Sequence, residues 1–531
     1  MDTALGRLQK RVTELEKENT QLKDSLTVQQ EKNNDLKKQY NRLKKEIEEK
    51  IAKNVEKIVN ETLKGLIEEN NRLKEENIKL KEEIANLKIL LNKSSNNTGI
   101  PTSKTPINEK KRIPNSREKT GKSIGGQKGH SKHKLERFKD EELTDSISYE
   151  AGTCNCGGKL KEIGERTKDE LDIEIRVKKT RYHFKEYECL NCGRKIQIPI
   201  PKHLKEENQY GSNVKAIALS LLNEGCVSYN RTRALINGFS SGEIDISEGY
   251  LVKQQKKASE KLEDFIKELR RKIIKEKVIH WDDTVIMISE KRGCLRFYGT
   301  EKMALYTAHE KKNKEGLDND NILNILDKDT VVVHDHNTIN YNDDYEFQNA
   351  ECCVHLIRDL KKMGEESKHE WTEELITLLK DTNQKRKEYI NQGNEYFEEM
   401  FIEEVQSKYD DIIGKAINEN KKDRDKDFGN EEKTLINRLV KYKQNYLMWI
   451  IRFDIPFSNN LSERSLRGSK TKMKVSGQFK NITNAEYYSN LKSYIETCKR
   501  NNINVHQALV RLCENKPYSI EEILEYQKNS D

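Results

Sequence analysis

Apolar residues near the start of the chain recur at spacings of three and four: Leu8, Val12, Leu15, Leu22 and Leu26, then Leu36, Tyr40, Leu43 and Ile47. All seven prolines stand at or beyond Pro101, so no helix breaker of that kind interrupts this stretch. After an irregularity near Ile51–Val55 the register resumes as Leu66, Leu73, Leu80 and Leu87, with Asn70, Asn77, Ile84 and Leu91 between them. A heptad seam with Leu at d and several Asn at a, flanked by Glu and Lys, predicts a coiled coil over 1–93. So long a leucine stripe must be buried, and Asn at a favours one register, so a homodimer is the expected use. The alternative is one helix folding back on the body.

The pattern then changes several times. Residues 94–140 hold three prolines and many Ser, Asn and Gly with no apolar period, which predicts a flexible linker. Residues 141–204 alternate in a strand-like way around four cysteines. The stretch 205–272 reads as short helices joined by Gly-containing turns, a helix-turn-helix-like region whose last helix would suit a major groove. From 273 to 500 come three strand candidates, a helix near Asp318–Leu326, the strand TVVVHD, and NAECCVHLIRDLKKM as a short strand entering a helix. Highly charged helical sequence fills about 365–447, and 501–531 reads as a C-terminal helical tail. The expected order βββαβαβ…α is a mixed sheet flanked by helices, the arrangement of an RNase H-like domain. The expected fold class is therefore multidomain α+β.

Composition sharpens this picture. Charged residues are 35% of 531 and hydrophobic ones 34%, so much of the chain is solvated helix or tail. The longest wholly apolar run, Tyr446–Ile451, is far too short to span a membrane, and MDTALGRLQK has no apolar core of a leader. A cytoplasmic protein is expected. The net charge is +8, and between Pro101 and Lys139 twelve Lys or Arg face only Glu109, Glu118 and Glu136. That local net of +9 points to a phosphate backbone as partner.

Two clusters carry chemistry. Cys154 and Cys156 in GTCNCGGKL, with Cys189 and Cys192 in YECLNCGRK, suit four thiolates on a structural Zn²⁺, although the first pair is one residue shorter than the usual CxxC. Cys352 and Cys353 read as small apolar residues of the core. Asp282 lies in a strand-like run beside Asp283, Asp335 ends the strand Val331–His334, and Glu463 opens a helix after Asn459 and Asn460. Carboxylates at neighbouring strand ends, joined by one from a helix, suit two Mg²⁺ or Mn²⁺ ions for phosphodiester chemistry. Beyond Glu463 the chain carries Arg464, Arg467, Lys470, Lys472, Lys474 and Lys480 with no acid between them. These cations, with Asn460, are candidate DNA contacts, as are His355 and Arg358.

The words around these residues resemble the DDE transposases of the insertion-sequence-sixty-six family. The resemblance runs from the zipper through SSNNTGIPTSK, GGQKGH (125–130), the four-cysteine knuckle, DDT (282–284), CVHL (353–356) and NNLSERSLR (459–467) to KVSGQFK. It implies a catalytic triad of Asp282, Asp335 and Glu463, with Asp283 as alternative for the first place. HDHNTINYN departs from the family's usual second-acid motif, which leaves Asp343 and Asp344 as alternatives there. The resemblance also implies binding and cleavage of element ends, strand transfer, and small accessory proteins as partners. The other readings are a catalytically silent DNA-binding derivative and a structure-specific nuclease on the same fold.

Overall fold

The computed structural model describes residues 4–50, 64–65, 67–77, 79–80, 83, 135–150, 154–201, 203–204 and 206–526. They fall into two compact units, Met1–Glu118 and Lys119–Asp531. Of the sequence-based expectations, Leu66, Ile84, Leu87 and Leu91 of the seam, the GGQKGH box and nearly all of the basic linker lie outside the described residues.

In the first unit α1 runs from Ala4 to Lys50. Its face bearing Val12, Leu15 and Asn19 is buried, with Leu15 wholly enclosed. Residues 67–77 are helical too, with Asn70 and Asn77 buried and Leu73 and Leu80 half-buried. Arg11 meets Glu83 at 3.9 Å, so the second helical stretch runs back along the first. Val12, Leu15, Asn19, Asn70 and Asn77 of the predicted seam therefore turn inward within one chain.

The second unit begins with extended chain. β1 (Glu186–Glu188) pairs antiparallel with β2 (Lys195–Gln197), and every residue of both is exposed. Two turns flank the cysteines. Gly157 and Gly193 adopt φ of +82° and +69°, and their N–H groups close back on the Cys154 and Cys189 carbonyls. Four helices follow: α2 (Ser212–Asn223), α3 (Tyr229–Phe239), α4 (Glu248–Glu260) and α5 (Glu263–Ile274). Ser228 and Ser247 cap α3 and α4 through their hydroxyls. The helices are not a free-standing module, because Phe265, Ile266, Leu269 and Ile273 of α5 pack into the core of the sheet.

That sheet has strands β3 (Val278–Ile288), β4 (Lys291–Gly299), β5 (Ala304–His309), β6 (Val331–His334) and β7 (Gln348–Glu351) in the order β5-β4-β3-β6-β7. β3 to β5 are antiparallel neighbours, while β6 and β7 run parallel to β3. Ser289 and Glu290, both at positive φ, make the tight β3–β4 turn that matches strand twist. The helix expected near Asp318–Leu326 is α6 (Lys314–Asn319) plus a short 3₁₀ turn at Leu323–Ile325. The connection between β6 and β7 holds only a 3₁₀ turn, Thr338–Asn340, where the expected order has a helix. Its Asn-rich sequence bonds to its own backbone at Asn337 and Asn342, which favours turns over helix.

After β7 come α7 (Cys353–Ser367), then α8 (Trp371–Asn391), α9 (Glu399–Lys422), α10 (Gly429–Lys441) and α11 (Lys443–Ile451). Trp371, Leu375, Tyr409, Ile436 and Trp449 join their inner faces to Val331 and Val333 of β6. α12 (Asn460–Ser476) and α13 (Ile482–Arg500) return to the sheet. α14 (Val505–Cys513) and α15 (Ile520–Tyr526) bury Leu509, Leu512, Ile520 and Ile523 in the main core. The expected tail is thus a structural part of the sheet domain, held by the apolar stripe that its charged composition hides.

Candidate active site

Parallel strands β3 and β6 pair Val278 with Val331 and His280 with Val333, an offset of 53 residues. The same offset carried two residues further sets Asp282 level with Asp335. Strand alternation puts Asp282 on the face shared by Ile286 and Ile288, which pack against α12. Asp283 points the other way and is ion-paired to Lys312 at 2.7 Å. Asp344 is exposed and pairs with Lys314 at 3.0 Å, away from the strand end, and Asp343 is exposed beside it.

The third acid arrives on α12. Glu463 Oε1 lies 3.3 Å from His355 Nε2 and 3.2 Å from Arg358, both on the first turns of α7. His355 Nδ1 lies 2.9 Å from Asp335 Oδ1, so one imidazole spans two of the three acids. Burial pushes the Asp282 carboxyl up to about 7, and the charges of Asp335 and Asp283 add to this. The Asp283 N–H, donating at 2.7 Å, and Lys470 oppose the rise. Burial alone would lower His355, but contact with Asp335, then Cys352, outweighs it and raises the imidazole to about 10. Acids held this close in a half-buried setting need a cation, and their hard oxygens suit a divalent ion. Asp335 Oδ1 is shut off from solvent beside the His355 ring, in reach of a cation at the strand end.

A residue beside the triad locks it together. Asn459 is 0% exposed. Its Nδ2 donates to the Trp281 carbonyl (2.9 Å), next to Asp282 in the chain. Its Oδ1 accepts from Ser462 Oγ (2.9 Å) and contacts His280 Nδ1 (3.0 Å), while its backbone N–H donates to Cys352 Sγ (3.2 Å). β3, the β7–α7 junction and α12 therefore meet on one side chain.

Residues 208–487, more than half of the chain, match the family described as Transposase IS66 family. The chain belongs to that family. No curated protein matches it. Membership brings DNA as partner and divalent metal use in general terms.

Around the transposase's acids, Asn460, Arg464, Arg467, Lys470 and Lys474 are exposed on α12, and Arg467 reaches Glu463 at 3.8 Å. Lys472 is different. It is 4% exposed, and its ammonium donates to the carbonyls of Leu222 (3.1 Å) and Val227 (3.4 Å) at the end of α2. Its expected DNA contact is corrected to an internal strut, and the phase of the helix explains why. Nine residues beyond Glu463 at about 100° each is half a turn away from the acid's face. Cys353 is buried as expected, packed against Trp449, whereas Cys352 faces the acids.

The cysteines of the knuckle behave as two pairs. Cys156 and Cys154 sulfurs are 3.2 Å apart, and each pair sits in its own glycine turn. The Cys154 thiol and the Gly158 N–H lower Cys156, and N–H groups of Asn191 and Cys192 lower Cys189. Among the described residues, only Asp335, Cys352 and His355 bring three ligand atoms within 4.8 Å of one another. The four cysteines thus lie as two pairs, each in its own turn. No helix among the described residues is long and apolar enough to cross a membrane.

Proposed function

We propose that this transposase binds the ends of an insertion element and cuts and joins DNA there, with Asp282, Asp335 and Glu463 as metal ligands. The observation that carries the reading is the β3–β6 register, which sets the first two acids side by side with Glu463 one imidazole away. The strand order β5-β4-β3-β6-β7 supports an RNase H-like assignment for this domain. Mg²⁺ or Mn²⁺ bound by the three acids would activate the attacking oxygen and stabilise the leaving one. Asp282 would give up its proton to a bound cation, whose charge offsets the burial and the neighbouring acids that raise it. Arg464, Arg467, Lys470 and Lys474 line the exposed face of α12 and hold phosphates beside the acids. His355 and Arg358 keep Glu463 oriented and add positive charge where a phosphate must lie.

The remaining parts follow the same reading. Cys154, Cys156, Cys189 and Cys192 would take Zn²⁺ by closing their two turns onto one ion, which would tie the two turns together. The α2–α5 helices and the basic linker supply further DNA contacts. Homodimerisation uses the seam of the first unit by exchange, each copy covering the other's Val12 and Leu15 as the single chain covers its own. Accessory proteins of the element and a cytoplasmic, nucleoid-associated setting complete the proposal.

The test is cleavage of flanked element-end DNA in Mg²⁺ by wild type, Asp282→Asn, Asp335→Asn and Glu463→Gln. Each variant is expected to lose cleavage while still binding DNA. Wild-type activity in any of the three removes that residue from the site, and wild-type protein that nicks without joining a 3′-hydroxyl end favours a nuclease. Absence of cleavage in the wild type with DNA binding intact favours the silent derivative.

A further inference from the structure

We propose that Asp335, Cys352 and His355 form a second metal site that takes a thiophilic divalent ion, zinc(II), and that its occupation withdraws Asp335 from catalysis. The inhibitory half rests on the triad reading above; the binding half does not.

Three observations converge on the site. His355 Nδ1 lies 3.4 Å from Cys352 Sγ and 2.9 Å from Asp335 Oδ1. Tetrahedral zinc with nitrogen, oxygen and sulfur ligands at roughly 2.0–2.3 Å has ligand–ligand edges of about 3.3–3.7 Å. The two His355 edges are within a few tenths of an ångström of this, and the Cys352–Asp335 edge lies within 4.8 Å and closes on the ion. Asp335 Oδ1 is buried beside the His355 ring, so an ion held between them would replace that contact. Cys352 is only 2% exposed, and its sulfur accepts the Asn459 N–H at 3.2 Å, which holds it beside the acids.

The surroundings fit as well. With Nδ1 on the ion, the imidazole proton sits on Nε2, 3.3 Å from Glu463 Oε1, in the carboxylate–histidine–metal pattern that orients ligating histidines. Arg358, exposed and already on Glu463, is free to turn from the ring. The Cys352 thiol proton and the Nδ1 proton of His355 are both released to solvent on binding. Sulfur is a poor donor for Mg²⁺, so the site discriminates against the catalytic ion while sharing Asp335 with it.

Cobalt(II) is the probe, added to metal-free full chain carrying Cys154→Ser and Cys189→Ser, which takes the knuckle out of the titration. We expect a thiolate-to-cobalt charge-transfer band and tetrahedral visible absorption, saturating at one ion per chain. Adding Cys352→Ser to that chain should abolish the band. No band, or a band kept when Cys352→Ser is added, overturns the proposal. Should Cys352→Ser fail to fold by circular dichroism, Cys352→Ala and His355→Gln carry the same expectation. In the cleavage assay at saturating Mg²⁺, the zinc concentration that halves the rate should rise at least tenfold in Cys352→Ser, each protein referred to its own zinc-free rate. Equal sensitivity overturns the inhibitory half. If Asp335→Asn cleaves like wild type, the triad reading falls, while the cobalt spectrum still decides the ion site.

Discussion

At the scale of single residues, Asn459 shows how the site is held by a neighbour that does no chemistry, and Asp282, the acid it flanks, shows how burial sets a titration. Replacing Asn459 by Ala leaves the Trp281 carbonyl and the Ser462 hydroxyl without their buried partner, at about 1–3 kcal/mol for each group left unsatisfied. Because those groups flank Asp282 and Glu463, cleavage should fall about tenfold to a hundredfold, with a higher Mg²⁺ midpoint. Asn459→Asp keeps the acceptor and should recover part of the rate; a normal Mg²⁺ midpoint in Asn459→Ala would refute the coupling. Asp282 makes a pH prediction. Its folded-state carboxyl, near 7, lies above an unfolded value near 4. The folded state therefore holds the proton more tightly. Stability of the metal-free protein is greatest below the unfolded value and is lost as pH rises through about 7. Melting of metal-free protein should drop from pH 5 to pH 8, and in Asp282→Asn this component of the slope should disappear.

At the scale of elements, α12 separates what the sequence makes legible from what it hides. Asp282 and Asp335 are readable because apolar strands end at them, and their spacing of 53 equals the register offset of β3 and β6. The DDT motif favours Asp282 over Asp283, and the Lys312 pairing of Asp283 accounts for the second acid. Asn459 is not readable beside Asn460, since a helix start does not reveal which of two adjacent asparagines turns into the core. Nor is His355, whose spanning of two acids depends on α7 and α12 meeting across more than a hundred residues of intervening helices. Lys472 is the opposite case, because the 100° period puts it on the inner face and the basic run masks that signal. Alanine at Arg467, Lys470 or Lys474 should lower the salt slope of DNA binding by about one each and leave stability nearly unchanged. Lys472→Ala should do the reverse, lowering stability in denaturant by about 1–3 kcal/mol through the orphaned carbonyls of Leu222 and Val227 while the salt slope stays put. A Lys472 variant that binds DNA with a reduced slope would return it to the surface set.

At the scale of the whole molecule, the proposed function needs two DNA ends brought together, and the seam of the first unit is the element proposed to do it. Its heptads foretell burial but not whose surface does the burying, because a helix returning within the chain and a helix from another chain satisfy the same pattern. In the single chain Leu15 is fully enclosed, and Asn19, Asn70 and Asn77 lie buried along the same seam. Buried asparagines cost stability and serve register, so this interface is specified and not merely sticky. An interface of that kind exchanges between copies at little cost, since the leucines uncovered when one chain opens are covered again by the matching helix of the other. Wild-type protein should therefore run in light scattering at twice 62.2 kDa. Leu15→Asp, which places a charge in the enclosed position, should run as a monomer, bind a single element end with near-normal affinity, and fail to pair two ends. If Leu15→Asp stays dimeric, the copies meet elsewhere; if the wild type is monomeric, the seam serves only its own chain and end pairing needs another device.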